Sequence, residues 1–256
     1  MKKIIILVLV IVSFNFVNAQ IEENPINLLA KRTAENKMLG VRFLKDFIFI
    51  KNNIYQKKTK SDLDKSIALF DENLNNMVMF LPKDKDVEKN YLKLQNFWNT
   101  YRLLITDFKK ENIKKVVYKS LQFYKLLDKF NNSLLENHPS YDKYKKKIKK
   151  INKITNSNNE MSALSINYVL SRGMKLNKLA NEFGFDIGDI QKKLKKFFKA
   201  KKLPEDLKEI KIDLDETVKN VEAFLNRDSY QPKLIYSYSK SFSNKSFQLI
   251  NNITKN

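Results

Sequence analysis

The sequence contains no cysteine, one histidine, four glycines and five prolines among its 256 residues. The absence of cysteine excludes disulfides, thiolate metal sites and a cysteine nucleophile. The one histidine, His138, cannot form a histidine metal cluster. No Ser/His/Asp pattern and no glycine-rich phosphate loop is found. We therefore predict a non-enzymatic protein that uses no cofactor and no metal.

The scarcity of glycine and proline leaves long stretches in which apolar residues recur at helical spacing, so we predict an all-α fold. Ser61 and Asp64 form a capping-box pattern at the start of the second predicted helix, and Pro82 marks its end. Trp98 lies on an apolar stripe and is predicted to be a core residue. The first four predicted helices cover about 25–53, 61–81, 86–105 and 112–137. Helices of this kind joined by short loops predict an antiparallel bundle.

The helical pattern occurs twice. Residues 63–81 align with residues 207–225 at an offset of 144 (207 − 63). Ile26-Asn27 matches Ile166-Asn167 at an offset of 140 (166 − 26), and the two offsets differ by about one helical turn. The coinciding residues are Leu63/Leu207, Asp71/Asp215, Glu72/Glu216, Asn76/Asn220, Phe80/Phe224 and Leu81/Leu225. We therefore predict two tandem antiparallel helical bundles, the second shorter than the first.

The predicted division of the chain follows from this repeat. Residues 20–138 form the first bundle and residues 161–256 form a second, degenerate unit. Residues 139–160, which are rich in lysine and then in Asn and Ser, form a basic and polar linker or a helix between them.

The first 19 residues are typical of a cleavable secretion signal. Lys2 and Lys3 precede an apolar run over residues 4–12, and Ala19 stands before the expected cut at Gln20. An uncleaved membrane anchor is the alternative, but that run is shorter than the roughly 20 apolar residues of a spanning helix. We expect an exported protein, periplasmic or secreted.

The formal net charge is +21, which either predicts an acidic partner or reflects the Lys- and Asn-rich composition that an AT-rich genome produces. Because export argues against nucleic acid, the candidate partners are a small anion and an envelope or membrane-associated protein, and a homodimer stays open. The lysines of residues 192–202 surround Leu194, Phe197 and Phe198. That pattern fits a basic amphipathic helix on an anionic membrane or an ordinary solvated helix face.

Two arginines lie at matching places in the two copies, since Arg32 and Arg172 each stand six residues after an Ile-Asn pair. An arginine near an apolar seam needs an anionic partner, because it cannot lose its charge. That partner is either a carboxylate of the same protein or an anion bound between helices or subunits. The candidate ligand-binding residues are Asn27, Lys31, Arg32, Asn167, Arg172 and Lys178.

The first copy carries three motifs that point to a known family: Ile26-Asn27 with Arg32 and Met38, residues 63–74, and Phe97-Trp98-Asn99-Thr100-Tyr101. Together they resemble the PilJ-type sensor module. That module is the N-terminal domain of type IV pili methyl-accepting chemotaxis proteins and is related to the extracytoplasmic region of nitrate/nitrite sensor kinases. The resemblance covers residues 25–137 and, more weakly, 161–250.

The resemblance implies a four-helix bundle and a binding or sensory-accessory role. In the nitrate-sensor relatives an arginine of the first helix contacts the anion across a dimer. This chain departs from the family pattern there, because Ala30-Lys31 stands where the family has Gly-Arg. Arg32 and Arg172 stand where the family has glutamine.

A second resemblance covers residues 168–212, which are similar to a LysM peptidoglycan-binding module. That module needs a strand at each end, and Leu207–Ile212 is the candidate for one of them, although the repeat predicts helix there. Ala180, Gly184 and Ile190 also have helix-turn-helix spacing, but export argues against DNA. The alternative function is therefore a cell-envelope binding protein that acts through this segment or through its lysine-rich face.

Overall fold

The computed structural model describes residues 25–108, 113–173, 192, 195, 205–225 and 231–255. Seven α-helices and one 3₁₀ turn account for most of these residues, and none of them lies in a β-strand, so the predicted all-α fold is confirmed. The helices are α1 (Pro25–Lys51), α2 (Gln56–Met77), α3 (Lys85–Thr106), α4 (Ile113–Glu136), α5 (Tyr141–Gly173), α6 (Glu205–Leu225) and α7 (Pro232–Lys255). The 3₁₀ turn, Val78–Phe80, follows α2 directly.

The start of α3 has a side-chain cap, whereas the start of α2 differs from the sequence prediction. Asp84 caps α3, because its side chain accepts the backbone N–H groups of Asp86 and Val87, each at 2.9 Å. The capping box predicted at Ser61 is wrong, because α2 already begins at Gln56. Tyr55, the residue before α2, is left-handed with φ 46°.

Helix α1 is the central helix of the described structure. It packs against α2, α4, α5 and α7, and 20 of its 27 residues are buried. A helix buried on nearly every side must find partners for its polar residues inside the protein. Phe43 of α1 lies among Phe70, Trp98 and Phe123 with ring-centroid distances of 5.0–6.2 Å. Trp98 is therefore a core residue, as predicted.

Helix α5 runs through the boundary that the sequence suggested between residues 160 and 161. Ile148, Ile151 and Ile154 are buried at helical spacing and continue the apolar face across the lysine-rich segment. This helix contacts α1 and α7. Helices of both predicted units therefore share one hydrophobic core and are joined by a continuous helix.

The burial pattern of α2 recurs in α6 at the predicted offset of 144. The buried pairs are Ser66/Ile210, Phe70/Leu214, Asn73/Thr217, Leu74/Val218 and Met77/Val221. Among the described residues, α1 is the centre of the first half, and α7 packs against α5, α6 and α1. The local amphipathic pattern of α2 is thus repeated in α6.

Candidate functional site

Three of the six predicted ligand-binding residues have described side chains, and all three lie on α1: Asn27, Lys31 and Arg32. Asn167 and Arg172 lie near the end of α5, where the helical backbone alone is described, and Lys178 lies outside the described residues. Asn27 faces α5, since its Oδ1 accepts a hydrogen bond from Lys147 Nζ at 3.3 Å. Arg32 faces α2 instead, so these two residues belong to different interfaces.

The guanidinium of Arg32 is held by residues of the same protein. It donates to Asn73 Oδ1, lies 3.4 Å from Glu35 Oε2 and lies 3.9 Å from Glu72 Oε1. Asn73 in turn donates to Glu35 Oε2 and to Asn36 Oδ1, each at 3.1 Å. The anionic partners of Arg32 are therefore internal carboxylates, which was one of the two alternatives the sequence left open.

Glu35 is the buried carboxylate of this network, with 5 % of its surface exposed. Burial raises the pKa of Glu35, and the charges of Arg32 and Lys31 together with hydrogen bonds from Asn73 and Arg32 oppose that rise. Lys31 thus acts on Glu35 by charge. The network holds α1 against α2 and offers no cation that lacks an acidic neighbour.

The first half of α5 carries the strongest concentration of charge on the described surface. Residues 141–153 contain seven lysines and one acidic residue, Asp142. Six of the lysines are exposed: Lys143, Lys145, Lys146, Lys149, Lys150 and Lys153. Because buried isoleucines occupy the opposite side of the helix, these six ammonium groups share its solvent side. We call this set the lysine face.

Two tyrosines lie at the N-terminal end of the lysine face. Lys145 Nζ lies 5.6 Å from the ring centroid of Tyr141. Lys143 and Lys147 lie 5.5 and 5.6 Å from the ring of Tyr144. Both tyrosines are half-buried. Cation–π attraction of this kind keeps the ammonium groups near the ring faces, so the lysines themselves cover these rings.

A second charged cluster joins α1, α2 and α7 and is mostly buried. Asp46 is ion-paired with Arg42 at 3.4 Å and with Lys45 at 3.3 Å. Asp62 accepts hydrogen bonds from Tyr236 and from Lys240 at 2.5 Å. The cluster holds three cations and two carboxylates. Burial lowers the pKa of Lys45, and the neighbouring Asp46 carboxylate partly offsets this. Because Asp62 on α2 accepts from Tyr236 and Lys240 on α7, this cluster holds α7 against the bundle.

An open groove of about 500 Å³ runs along α4, lined by Asn90, Tyr124, Lys125, Asp128, Lys129, Asn132, Ser133 and Glu136. Its polar side chains are partly satisfied from inside, because Lys37 Nζ pairs with Asp128 at 2.5 Å and donates to Asn132 at 3.2 Å. The lining mixes both signs of charge and so selects no sign of ligand.

The strands that a LysM-like module would need at the two ends of residues 168–212 are not found where the structure describes those ends. Residues 168–173 are the last residues of α5, and Leu207–Ile212 lies within α6, so helices stand where that module needs strands. Most of the segment between them, including the basic residues of 192–202, lies outside the described residues; Lys192 and Lys195 are helical and exposed.

Within the described ranges, no group of three or more His, Asp or Glu side chains is arranged to hold a metal ion. None of the helices described has both the length and the apolar character that crossing a bilayer requires. Comparison of the chain with family models, curated proteins and solved structures found no match.

The lysine face contains none of the six predicted ligand-binding residues. The density of lysine over residues 141–153 is visible in the sequence, where residues 139–160 are predicted to be a basic and polar linker or a helix. The isoleucines at positions 148, 151 and 154 were the signal that this segment is a helix with one side in the core.

Proposed function

We propose that this protein is an exported, non-enzymatic binding protein of the PilJ-like sensory-accessory kind, whose partner is an anionic component of the cell envelope. The observation that carries the proposal is the lysine face of α5. Six exposed ammonium groups stand on one side of a helix whose other side is anchored in the core.

Electrostatics favours the lysine face over the predicted arginine site. Glu35 and Glu72 already lie beside Arg32, so an anion at Arg32 would have to approach two carboxylates. On residues 141–153 Asp142 alone opposes seven lysines. Like charges at this density raise the local potential and the rate at which an anionic partner is captured. The family's small-anion role is thus replaced here by a larger anionic partner.

The proposal is tested by co-sedimentation of the purified protein with isolated bacterial cell envelopes at physiological salt. We expect the wild-type protein to sediment with the envelopes and the triple variant Lys146→Gln/Lys149→Gln/Lys150→Gln to remain largely in the supernatant. These three side chains are exposed, and glutamine keeps the helix propensity of the segment.

A matched control is Lys57→Gln/Lys60→Gln/Lys65→Gln, which removes three exposed lysines of α2 and leaves the same net charge. The control protein should sediment like the wild type. Equal loss in both triple variants would show that total charge, and not this face, governs binding. If the wild-type protein stays in the supernatant, the proposal is wrong.

A further inference from the structure

We infer that the lysine face recognises a linear, phosphate-bearing polymer of the cell envelope, held along α5. This inference rests on the proposed function and narrows it to one class of partner. Three properties of the helix support it: the length of the charged face, the burial of its apolar side and the covering of its two tyrosine rings by lysines.

The six lysines of the lysine face are spread along the helix axis. Lys143 and Lys153 are ten residues apart, which is about 15 Å along an α-helix. A single phosphate reaches only neighbouring lysines, whereas an extended polyanion can contact several of them at once. Lysine ammonium groups are flexible point charges that suit successive phosphates without fixing one geometry. The face therefore fits a repeating anion better than an isolated one.

A lipid bilayer fits less well, because α5 has no apolar surface to insert. Surface-bound amphipathic helices bury an apolar side in the bilayer. Here Ile148, Ile151 and Ile154 are buried in the protein. No large apolar side chain is exposed anywhere over residues 141–166, all of which have described side chains. This helix can therefore bind a partner through its charge and not through insertion of an apolar side.

A nucleic acid also fits less well. Proteins that bind single strands combine basic grooves with aromatic rings on which the bases stack. The rings of Tyr141 and Tyr144 are half-buried, and lysine ammonium groups lie over them. Neither of these two rings therefore offers bases an open stacking surface, and a phosphate chain without bases matches the lysine face best.

The experiment measures binding of the purified protein to orthophosphate, tripolyphosphate and long-chain polyphosphate by isothermal titration calorimetry at several salt concentrations. We expect binding of long-chain polyphosphate at least tenfold tighter than that of tripolyphosphate, and no measurable binding of orthophosphate. For counterion release from a single-stranded polyanion, each contact adds roughly 0.7 to the slope of log K against log salt. The Lys146/Lys149/Lys150→Gln variant should therefore lose roughly 2 from that slope, and the Lys57/Lys60/Lys65→Gln control should lose almost nothing.

Four outcomes would overturn the inference. Equal affinity for tripolyphosphate and the long chain would mean that the face binds single anions. Tighter binding of anionic phospholipid vesicles, at matched phosphate and with the same lysine dependence, would assign the face to a membrane. Tighter binding of an oligonucleotide with the same number of phosphates would show base recognition. The vesicle result would leave the proposed function standing. Failure of every anion to bind through these lysines would overturn this inference, and the envelope co-sedimentation would then decide the proposed function separately.

Discussion

The buried cluster of α1, α2 and α7 allows a prediction about charge balance inside the protein. Removing a buried cation should change the free energy of unfolding little, whereas removing the buried anion beside it should lower that free energy strongly. The two substitutions are Lys45→Met and Asp46→Asn, which change neighbouring residues of α1 that are both almost fully buried. Because Arg42, Lys45 and Lys240 face Asp46 and Asp62, the cluster carries one cation in excess.

The magnitudes follow from the distances. At an effective dielectric constant of about 20, each ion pair of Asp46 at 3.3–3.4 Å contributes roughly 5 kcal/mol of attraction. Asp46→Asn removes both pairs and leaves Arg42 and Lys45 to repel each other, so we expect a loss of about 3–5 kcal/mol. Lys45→Met removes one pair but also removes that repulsion and a desolvation cost of several kcal/mol. We expect the free energy of unfolding to change by less than about 1 kcal/mol, or to increase.

The assay is urea unfolding at neutral pH, followed by the fluorescence of Trp98, the one tryptophan of the chain. A pH series adds a second readout. Because the pKa of Lys45 is lowered in the folded state, the unfolded chain binds more protons between the folded and unfolded pKa values. The free energy of unfolding should therefore gain a contribution as pH rises through that window, and Lys45→Met should abolish it. A loss above about 2 kcal/mol in Lys45→Met would refute the argument from charge excess.

Three further substitutions test individual contacts by the same unfolding assay. Arg32→Ala should lower the free energy of unfolding by about 2–3 kcal/mol, because it leaves the buried Glu35 carboxylate without its nearest cation. If nitrate raised the melting temperature and this rise depended on Arg32, the internal role of Arg32 would be contradicted. Phe123→Ala should lower the free energy of unfolding by about 3–5 kcal/mol, because Phe123 is fully buried among aromatic rings, those of Phe43, Phe70, Trp98 and Tyr101. A loss below about 1 kcal/mol would show that this packing is absent in solution. Asp84→Ala should cost about 1 kcal/mol through loss of the cap of α3, and Asp84→Asn should retain most of it.

The sequence predicted the elements that depend on local pattern. The second predicted helix does end before Pro82, because α2 and its 3₁₀ turn end at Phe80. The burial of Trp98 followed from its place on an apolar stripe. These features depend on residues within a few helical turns of one another, so the local sequence is enough to predict them.

Other features depend on partners far along the chain. Arg32 required a carboxylate, but periodicity did not reveal that Glu35 and the α2 residue Asn73 would supply the partners. The buried polar run near the predicted boundary, which includes Thr155, Asn158 and Glu160, looked like a linker because such residues are usually solvated. Its burial follows from the packing of α5 on α1 and α7, which local sequence does not encode.

The lysine face leads to a last prediction, which separates its binding role from any role in folding. Lys146, Lys149 and Lys150 lie three or four residues from one another or from other lysines, so each pair at this spacing repels by about 0.2–0.5 kcal/mol. The triple glutamine variant should therefore unfold with a free energy about 0.5–1.5 kcal/mol higher than the wild type, and the difference should shrink as salt screens the charges. Loss of envelope binding together with this gain in stability is expected if the lysines serve a partner at a cost to the fold. A variant that is less stable than the wild type would instead show that these lysines hold α5 in place, and its binding defect would then have a structural cause.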